Sequence, residues 1–288
     1  MIQYATPKIA PQIRQMWKTV FGDSDAYMDI YFRYNYRNER TLVYMEGDKA
    51  MASLQMLPYQ FTFCGVEIPI AYISGASTLP EARKKGYMQQ LLLKSFDEMA
   101  KNDIPLTLLV PQETWLLGFY ERYGYAQTFD ASKTELSSLR FGFAQQPEEA
   151  YKKFDAQFRT KDMTVQKTFD DFRAIVEEAQ LFDFQPKKNL TGMARIIDAE
   201  RLLSIFAKKY HQASFSISVV DEILENNMAA FMIKNGEVKK NVNFICPHFR
   251  TDIRELVQLL LGYHTSKKED PFRSFFPEKI AQMNFMLE

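Results

Sequence analysis

Arg83-Lys84-Lys85-Gly86-Tyr87-Met88 is the stretch of this 288-residue chain whose residue types point most directly to chemistry. Three basic side chains lead into a glycine, and an amphipathic helical pattern starts there. A helix start presents unpaired backbone N–H groups and a partial positive charge, where phosphate oxygens fit. Glycine lets the backbone approach a ligand closely, and Arg83, Lys84 and Lys85 add charge. The same six residues also describe a basic surface turn, so the ligand class depends on the surroundings. Phe119-Tyr120-Glu121-Arg122-Tyr123-Gly124-Tyr125 is a second dense segment, rich in phenols. His211, His248 and His264 are scattered without ligand spacing, so no metal site is expected. Cys64 and Cys246 have no basic partner nearby in sequence and read as structural thiols.

The elements that must position these residues follow from hydrophobic periodicity. Ile2 to Ala5 is a short strand. Residues 8 to 21 place Ile9, Ile13, Met16, Trp17 and Val20 at helical spacing, and Gly22 stops them. Residues 25 to 36 form a tyrosine-rich helix in which Tyr27, Tyr31 and Tyr34 share a face. Leu42–Met45 and Ala50–Leu57 flank Glu46-Gly47-Asp48-Lys49 as a hairpin. Ile68–Ser74 is a strand running toward Ser77 and Thr78, and the basic loop follows. A helix from about Gly86 to Lys101 buries Met88, Leu91, Leu92, Ser95 and Met99. Pro105–Val110 is an apolar run typical of a central strand. A short helix across Trp115 to Tyr123 and a strand from Tyr125 close the unit. The order β-α-α-β-β-β-α-β-α-β predicts a mixed-sheet α/β (α+β) fold over residues 1–130.

Residues 131–190 read as a connector, with an amphipathic helix at Phe169–Leu181, too short for a normal independent core. Residues 191–288 change character. Asp198 caps a helix. Phe215–Val220 and Met228–Ile233 are strands, with a hairpin turn at Asn235-Gly236 and a further strand at Val242–Ile245. Asp252 and Glu255 form a capping box for an apolar helix ending at Gly262. Thirty-six basic residues balance thirty-six acidic ones, which argues against a nucleic-acid partner. No apolar run reaches the length of a membrane span, and the start, Met1-Ile2-Gln3-Tyr4-Ala5, lacks secretory character. With two distant cysteines, a cytoplasmic protein with free thiols and no membrane partner is expected.

In combination, the basic loop and the Tyr120 segment resemble the GNAT acetyltransferase superfamily. Arg83 and Gly86 match its acetyl-CoA loop, Arg/Gln-x-x-Gly-x-Gly/Ala, with Met88 at the last, usually small, position. Tyr120, Gly124 and Tyr125 match its Tyr-x-x-x-Gly-Phe/Tyr helix end. The resemblance covers residues 1 to about 130. It implies acetyl-CoA as co-substrate: backbone at Gly75 to Leu79, including Ser77, Thr78 and Leu79, on the acetyl group and pantetheine; amides from Lys84 to Met88, with Tyr87 among them, on the pyrophosphate; and Phe119 beside the coenzyme. The pantetheine would lie where two strands splay apart, beside Val110 and Pro111.

Met193-Ala194-Arg195-Ile196-Ile197-Asp198 resembles the Met-x-Arg-Val-x-Asp entry to a sterol-carrier-like domain. So do Asp221 with Asn226-Asn227, the helix end at Gly262-Tyr263, and Phe276-Pro277. A GNAT domain joined to such a domain resembles the "enhanced intracellular survival" (Eis-like) acetyltransferases, which acetylate amines, including aminoglycosides. Those proteins carry a second GNAT-like domain in the middle, which residues 131–190 are too few to form. The C-terminal domain would serve as a scaffold or bind a lipid.

That resemblance implies an N-acetyltransferase acting on a primary amine of a small molecule or a lysine side chain, with a homo-oligomer left open. Tyr120 would be the general acid that protonates the departing thiolate. The C-terminal carboxylate, here on Glu288, would be the base, the alternative being a frayed tail. Tyr27, Tyr31 and Glu113 are acceptor-side candidates, although core packing explains the tyrosines equally well and a helix cap explains Glu113. The alternatives are transfer of another acyl group, and a non-catalytic protein that binds acyl-CoA or lipid.

Overall fold

A computed structural model describes residues 1–135, 146–189, 191–242 and 246–286. In chain order it contains β1 (Ile2–Tyr4), α1 (Ala10–Phe21), α2 (Asp25–Tyr34), β2 (Thr41–Glu46), β3 (Lys49–Phe63), β4 (Val66–Thr78), α3 (Tyr87–Lys101), β5 (Leu106–Leu109), α4 (Leu116–Glu121) and β6 (Ala126–Phe129). The middle adds β7 (Ser132–Thr134), α5 (Pro147–Ala156), β8 (Thr164–Gln166), α6 (Phe169–Leu181) and β9 (Lys187–Asn189). The last third adds β10 (Gly192–Ile196), α7 (Ala199–Lys209), β11 (Phe215–Val220), β12 (Ala229–Lys234), β13 (Glu237–Lys240), β14 (Phe249–Asp252), α8 (Ile253–Leu260) and α9 (Phe272–Phe275).

The α/β expectation holds element by element through β6. Local chemistry explains why. Gly22 ends α1 in the left-handed region at φ 74°, and Ser24 caps α2 by accepting from the Tyr27 N–H. The β2–β3 hairpin turns at Gly47, φ 57°. α1 and α2 cover one face of the sheet and α3 and α4 the other, so the strands between them are buried on both sides.

Among the described residues the large sheet has eight strands, ordered β1-β2-β3-β4-β5-β10-β6, with β8 pairing to β3. Only β4–β5 is parallel; every other pair in this sheet is antiparallel. The sheet does not respect a boundary near residue 130 or 190. By sequence, Met193 to Asp198 are expected at the entry to the last unit. Instead Met193–Ile196 pair with Leu109–Leu106 on one side, and Gly192–Ala194 pair with Phe129–Ala126 on the other. The reason lies in the side chains: all five residues of β10 are buried, which requires cover on both faces. β8 likewise takes the edge of β3 that β2 leaves free, pairing at Gln60–Thr62.

The middle segment supplies a small aromatic cluster of Phe154, Phe172, Ile175 and Val176, joined by Phe285 from the chain's tail. The last third forms a second sheet, β13-β12-β11-β14, under α7 and α8. Asn235 and Gly236, both at positive φ, make the β12–β13 turn as expected. Asp252 caps α8, but the return half of the box is absent: the Glu255 carboxylate instead accepts from Thr251 and pairs with Lys268. Residues 243–245 of the expected Val242–Ile245 strand lie outside the described residues. Among those residues, no helix is long and apolar enough to cross a membrane.

Candidate active site

The site begins where two parallel strands part. β4 and β5 pair from Ile70↔Leu106 to Tyr72↔Leu108. β5 then ends at Leu109, while β4 runs on to Thr78. From Ile73 onward the β5 side of β4 is therefore an edge of backbone donors and acceptors. An extended ligand arm that contains amides can pair there as a strand would.

A bulge on the other side of β4 shapes this edge. The register with β3 jumps from Gln55↔Ser74 to Ser53↔Ser77, so Gly75 and Ala76 stand opposite Leu54 alone. Gly75 adopts φ 57°, and a Cβ there would lie 2.4 Å from the Trp17 ring and 2.8 Å from the Gln55 amide. No other residue fits. Tyr31 reaches from α2 to donate to Ser74 at 2.7 Å and to Gln55 at 3.2 Å. Ser77 is buried with its hydroxyl 3.2 Å from that of Ser53, and the Leu79 N–H is taken by Met51. Tyr31 is wholly buried against the bulge, whereas Tyr27, nearly as buried, turns its ring toward Phe182.

The chain leaves β4 through a turn at Pro80–Ala82 and enters the basic loop. Lys84 and Gly86 both take positive φ, 63° and 77°. Gly86 is the residue before α3, and among the described residues no side chain caps that helix. Arg83, Lys84, Lys85 and Gly86 are all exposed. Three exposed basic residues thus lead directly into the first-turn N–H groups, with the Lys85 ammonium 5.8 Å from the Tyr87 ring centroid, and such a helix start suits phosphate. Tyr87 faces inward and fixes the helix start: its ring stacks on Tyr44 at 4.0 Å, and its hydroxyl donates to Glu46. Met88 is half-buried against the α3 side of the sheet. The glycine's open surroundings and the uncapped helix fit a coenzyme A pyrophosphate.

Beyond β5, Glu113 is exposed and accepts from the Trp115 indole at 2.5 Å, near the entry to α4. Tyr120 lies on the inner face of α4, packed edge-on to Phe119 at 5.1 Å and Tyr125 at 5.8 Å. Burial alone pushes its phenol up to about 12, so it is a neutral O–H at physiological pH. Tyr125 is shifted upward as well, by burial. The helix ends in a tight turn in which the Tyr120 carbonyl accepts from the N–H of both Tyr123 and Tyr125, with Gly124 at φ 80°.

A cavity of about 330 Å3 adjoins the C-terminal ends of β5 and β6, lined by Val110, Phe129, Asp130, His264, Met283 and Met286 among others. His264 has no ligand spacing in the sequence, and nothing local links it to Asp130. The fold brings its Nε2 to 3.0 Å from that carboxylate, which also accepts from Tyr263 at 2.8 Å. Burial works to raise the Asp130 carboxyl, but the Tyr263 and His264 hydrogen bonds outweigh it and hold it below its usual range. The tail reaches this cavity because it is pinned to β8: Val165 donates to the Gln282 carbonyl and Gln282 to that of Met163. Lys187 then donates to the Met286 carbonyl at 2.5 Å. Glu288 lies outside the described residues. Among those residues no cluster of His, Cys, Asp or Glu is placed to hold a metal ion.

Residues 1–128 match the acetyltransferase (GNAT) domain family. Among curated proteins, no relative matches the sequence. Three solved structures share the fold across nearly the whole of both chains. Eis1 from Mycobacterium abscessus is 14% identical over 99% of each chain, with a TM-score of 0.69. A GCN5-related N-acetyltransferase from Kribbella flavida is 13% identical, covers 100% of this chain and 97% of that one, and has a TM-score of 0.70. Another GCN5-related N-acetyltransferase, from Anabaena variabilis ATCC 29413, is 16% identical over 99% and 98%, with a TM-score of 0.68. At these identities the likeness is one of fold.

Proposed function

We propose, from the GNAT domain at residues 1–128, that this protein transfers an acetyl group from acetyl-CoA to a primary amine of a small molecule or a lysine side chain. The observation that carries this reading is the parting of β4 from β5 after Tyr72 and Leu108, with an anion-binding loop at one strand's exit and a neutral phenol beyond the other's.

Each part has a defined task. Arg83, Lys84, Lys85 and the amides from Gly86 to Met88 hold the pyrophosphate, and Phe119 lies beside the coenzyme. The free edge of β4 at Ser77 and Thr78 aligns the pantetheine and thioester carbonyl, with Leu79, whose N–H is bound to Met51, closing its end. The thioester supplies an activated acyl carbon and a thiolate leaving group. The acceptor must arrive as a neutral amine, because only its lone pair can attack that carbon. Tyr120 donates its proton to the departing sulfur, and burial keeps that phenol protonated across the physiological range. The cavity beside Val110 receives the acceptor, with Glu113 exposed at the α4 entry to orient it. The tail that lines this cavity through Met286 leads on to Glu288, which supports Glu288 as the base.

The test is thiol release from acetyl-CoA with a panel of primary amines. Release with at least one amine, together with the matching N-acetyl product, is expected. Tight acetyl-CoA binding with no thiol release across the panel would overturn the assignment and favour a non-catalytic acyl-CoA carrier.

A further inference from the structure

We infer that Arg195 is a positioning residue for Tyr120: β10 carries its guanidinium between α3 and the turn that ends α4, and Asp221 of the C-terminal sheet holds it there. This rests on the proposed role of Tyr120 in its kinetic consequence, though not in its mechanical one.

Arg195 is fully buried, at 0% exposure, and Asp221 nearly so at 2%. Nη2 lies 3.1 Å from each Asp221 oxygen. The aspartate is itself fixed. Its Oδ1 accepts from the N–H groups of Ile223 and Leu224, and its Oδ2 from the Asn227 amide. Asn227 in turn accepts from the Ala199 N–H at the start of α7. The carboxylate is therefore locked to the end of β11 and the beginning of α7, both in the C-terminal unit.

The other side of the guanidinium touches the catalytic half. Its carbon sits 4.7 Å from the Phe96 ring centroid, over the face of a residue on α3. A Cβ on Gly124 would lie 1.6 Å from Nη1 and 2.8 Å from the central carbon. The guanidinium thus occupies the space that any side chain at 124 would need. Gly124 sits in the turn whose flanking residues, Tyr123 and Tyr125, both donate to the Tyr120 carbonyl. One side chain therefore abuts the helix that starts at the coenzyme loop and the turn that sets the Tyr120 backbone.

Stability alone does not explain the choice of arginine. Its Nε and Nη1 are buried with no hydrogen-bond acceptor among the described residues, and an apolar side chain of similar volume would avoid that cost. A rigid planar fork anchored at one end does what a flexible apolar chain cannot: it fixes distances on both sides at once. Small displacements of a catalytic group are expensive, on the order of 10²-fold in rate for about 1 Å.

The experiment uses the full chain and Asp221→Asn, which keeps an acceptor for the Ile223 and Leu224 N–H groups while removing the counter-charge. Arg195→Lys is the second variant, and Leu203→Ala, in the core of α7, controls for lost stability. Hydrogen exchange is followed in residues 116–126, with 41–46 as reference, and thiol release from acetyl-CoA is measured with the amine that turns over fastest. Both variants should speed exchange in 116–126 about tenfold relative to 41–46. They should lower kcat about tenfold while leaving KM for acetyl-CoA unchanged, and add nothing further in a Tyr120→Phe background. Leu203→Ala should lower the melting temperature without this pattern. Unchanged exchange in 116–126, or a kcat loss that persists in full beside Tyr120→Phe, would overturn the inference. Full turnover by Tyr120→Phe would instead refute the role of Tyr120, and the exchange result would still decide the coupling.

Discussion

Tyr31 and Ser74 are joined by a 2.7 Å hydrogen bond that ties α2 to the strand where β4 bulges away from β3. Both are buried, so the hydroxyl cannot be replaced by water without rearrangement. Tyr31→Phe should cost about 1–3 kcal/mol of stability, the usual penalty for stranding buried polar partners. It should also raise KM for acetyl-CoA more than it changes kcat, because the bulge shapes the edge that receives the pantetheine. Denaturant melts combined with steady-state kinetics check both. A stability loss with unaltered KM would show that the bulge does not depend on this bond.

Tyr120→Phe should reduce kcat by roughly 10²-fold with little change in acetyl-CoA affinity, the scale of one lost proton donor. The pH profile gives a separate check. With the phenol pushed up to about 12 by burial, Tyr120 remains protonated well beyond the ordinary tyrosine range. In the unaltered protein, kcat should therefore rise with acceptor deprotonation and show no falling limb up to about pH 10, where an unperturbed phenol would already be half ionised. A descending limb below that point, present in the unaltered chain and absent from Tyr120→Phe, would contradict the assigned pKa.

The sequence made the N-terminal half legible because its helices and hairpins announce themselves locally. Gly22, Gly47 and the Met16-Trp17 stripe each act within a few residues of where they stand. The basic loop was legible for the same reason. Arg195 and Asp198 stood out as a pattern, yet their place did not: β10 has no alternation, and its partners lie far away in the chain. His264 and Asp130 were invisible as a pair because 134 residues separate them and only the folded tail and β6 bring them together. The bulge at Gly75 likewise depends on Trp17, a contact between elements that no local rule anticipates.

Gly86→Ala offers a direct test of the coenzyme loop. The glycine sits at φ 77° with open space around its Cα, so an alanine meets backbone strain but little steric clash. Gly47, at φ 57° in the first hairpin and with nothing within 4 Å of an added Cβ, is the matched control, since Gly86 meets only the Gln89 side chain at an ordinary 3.8 Å. Each change should cost about 1–2 kcal/mol of stability from the left-handed backbone alone. Only Gly86→Ala should weaken acetyl-CoA binding in calorimetry. Equal binding by both variants would remove Gly86 from the phosphate site.

Glu98 provides a pH test of how α3 is held to the sheet. Lys94 pairs with it at 2.7 Å and the Tyr4 hydroxyl donates to it at 2.9 Å, drawing its carboxyl down from 4.5 to about 2. A depressed carboxyl stabilises the fold above its unfolded value, and that contribution is lost as pH falls through the folded value. Glu98→Gln should therefore lower the melting temperature at neutral pH, with the gap to the unaltered chain closing between about pH 4.5 and 2. A gap independent of pH would mean the side chain acts by packing alone.

The place of β10 between β5 and β6 has a consequence for how the molecule comes into being. Among the described residues β6 pairs with β10 alone, and one side of β5 waits for the same strand. During synthesis both emerge from the ribosome long before their shared neighbour, and the growing chain must carry an open, apolar strand edge through the whole middle third. Such edges recruit other chains. A gene cut at the apparent boundary near residue 130 should thus yield a sticky, incomplete sheet, and a chaperone's attention would be needed most while residues 130 to 196 are being made.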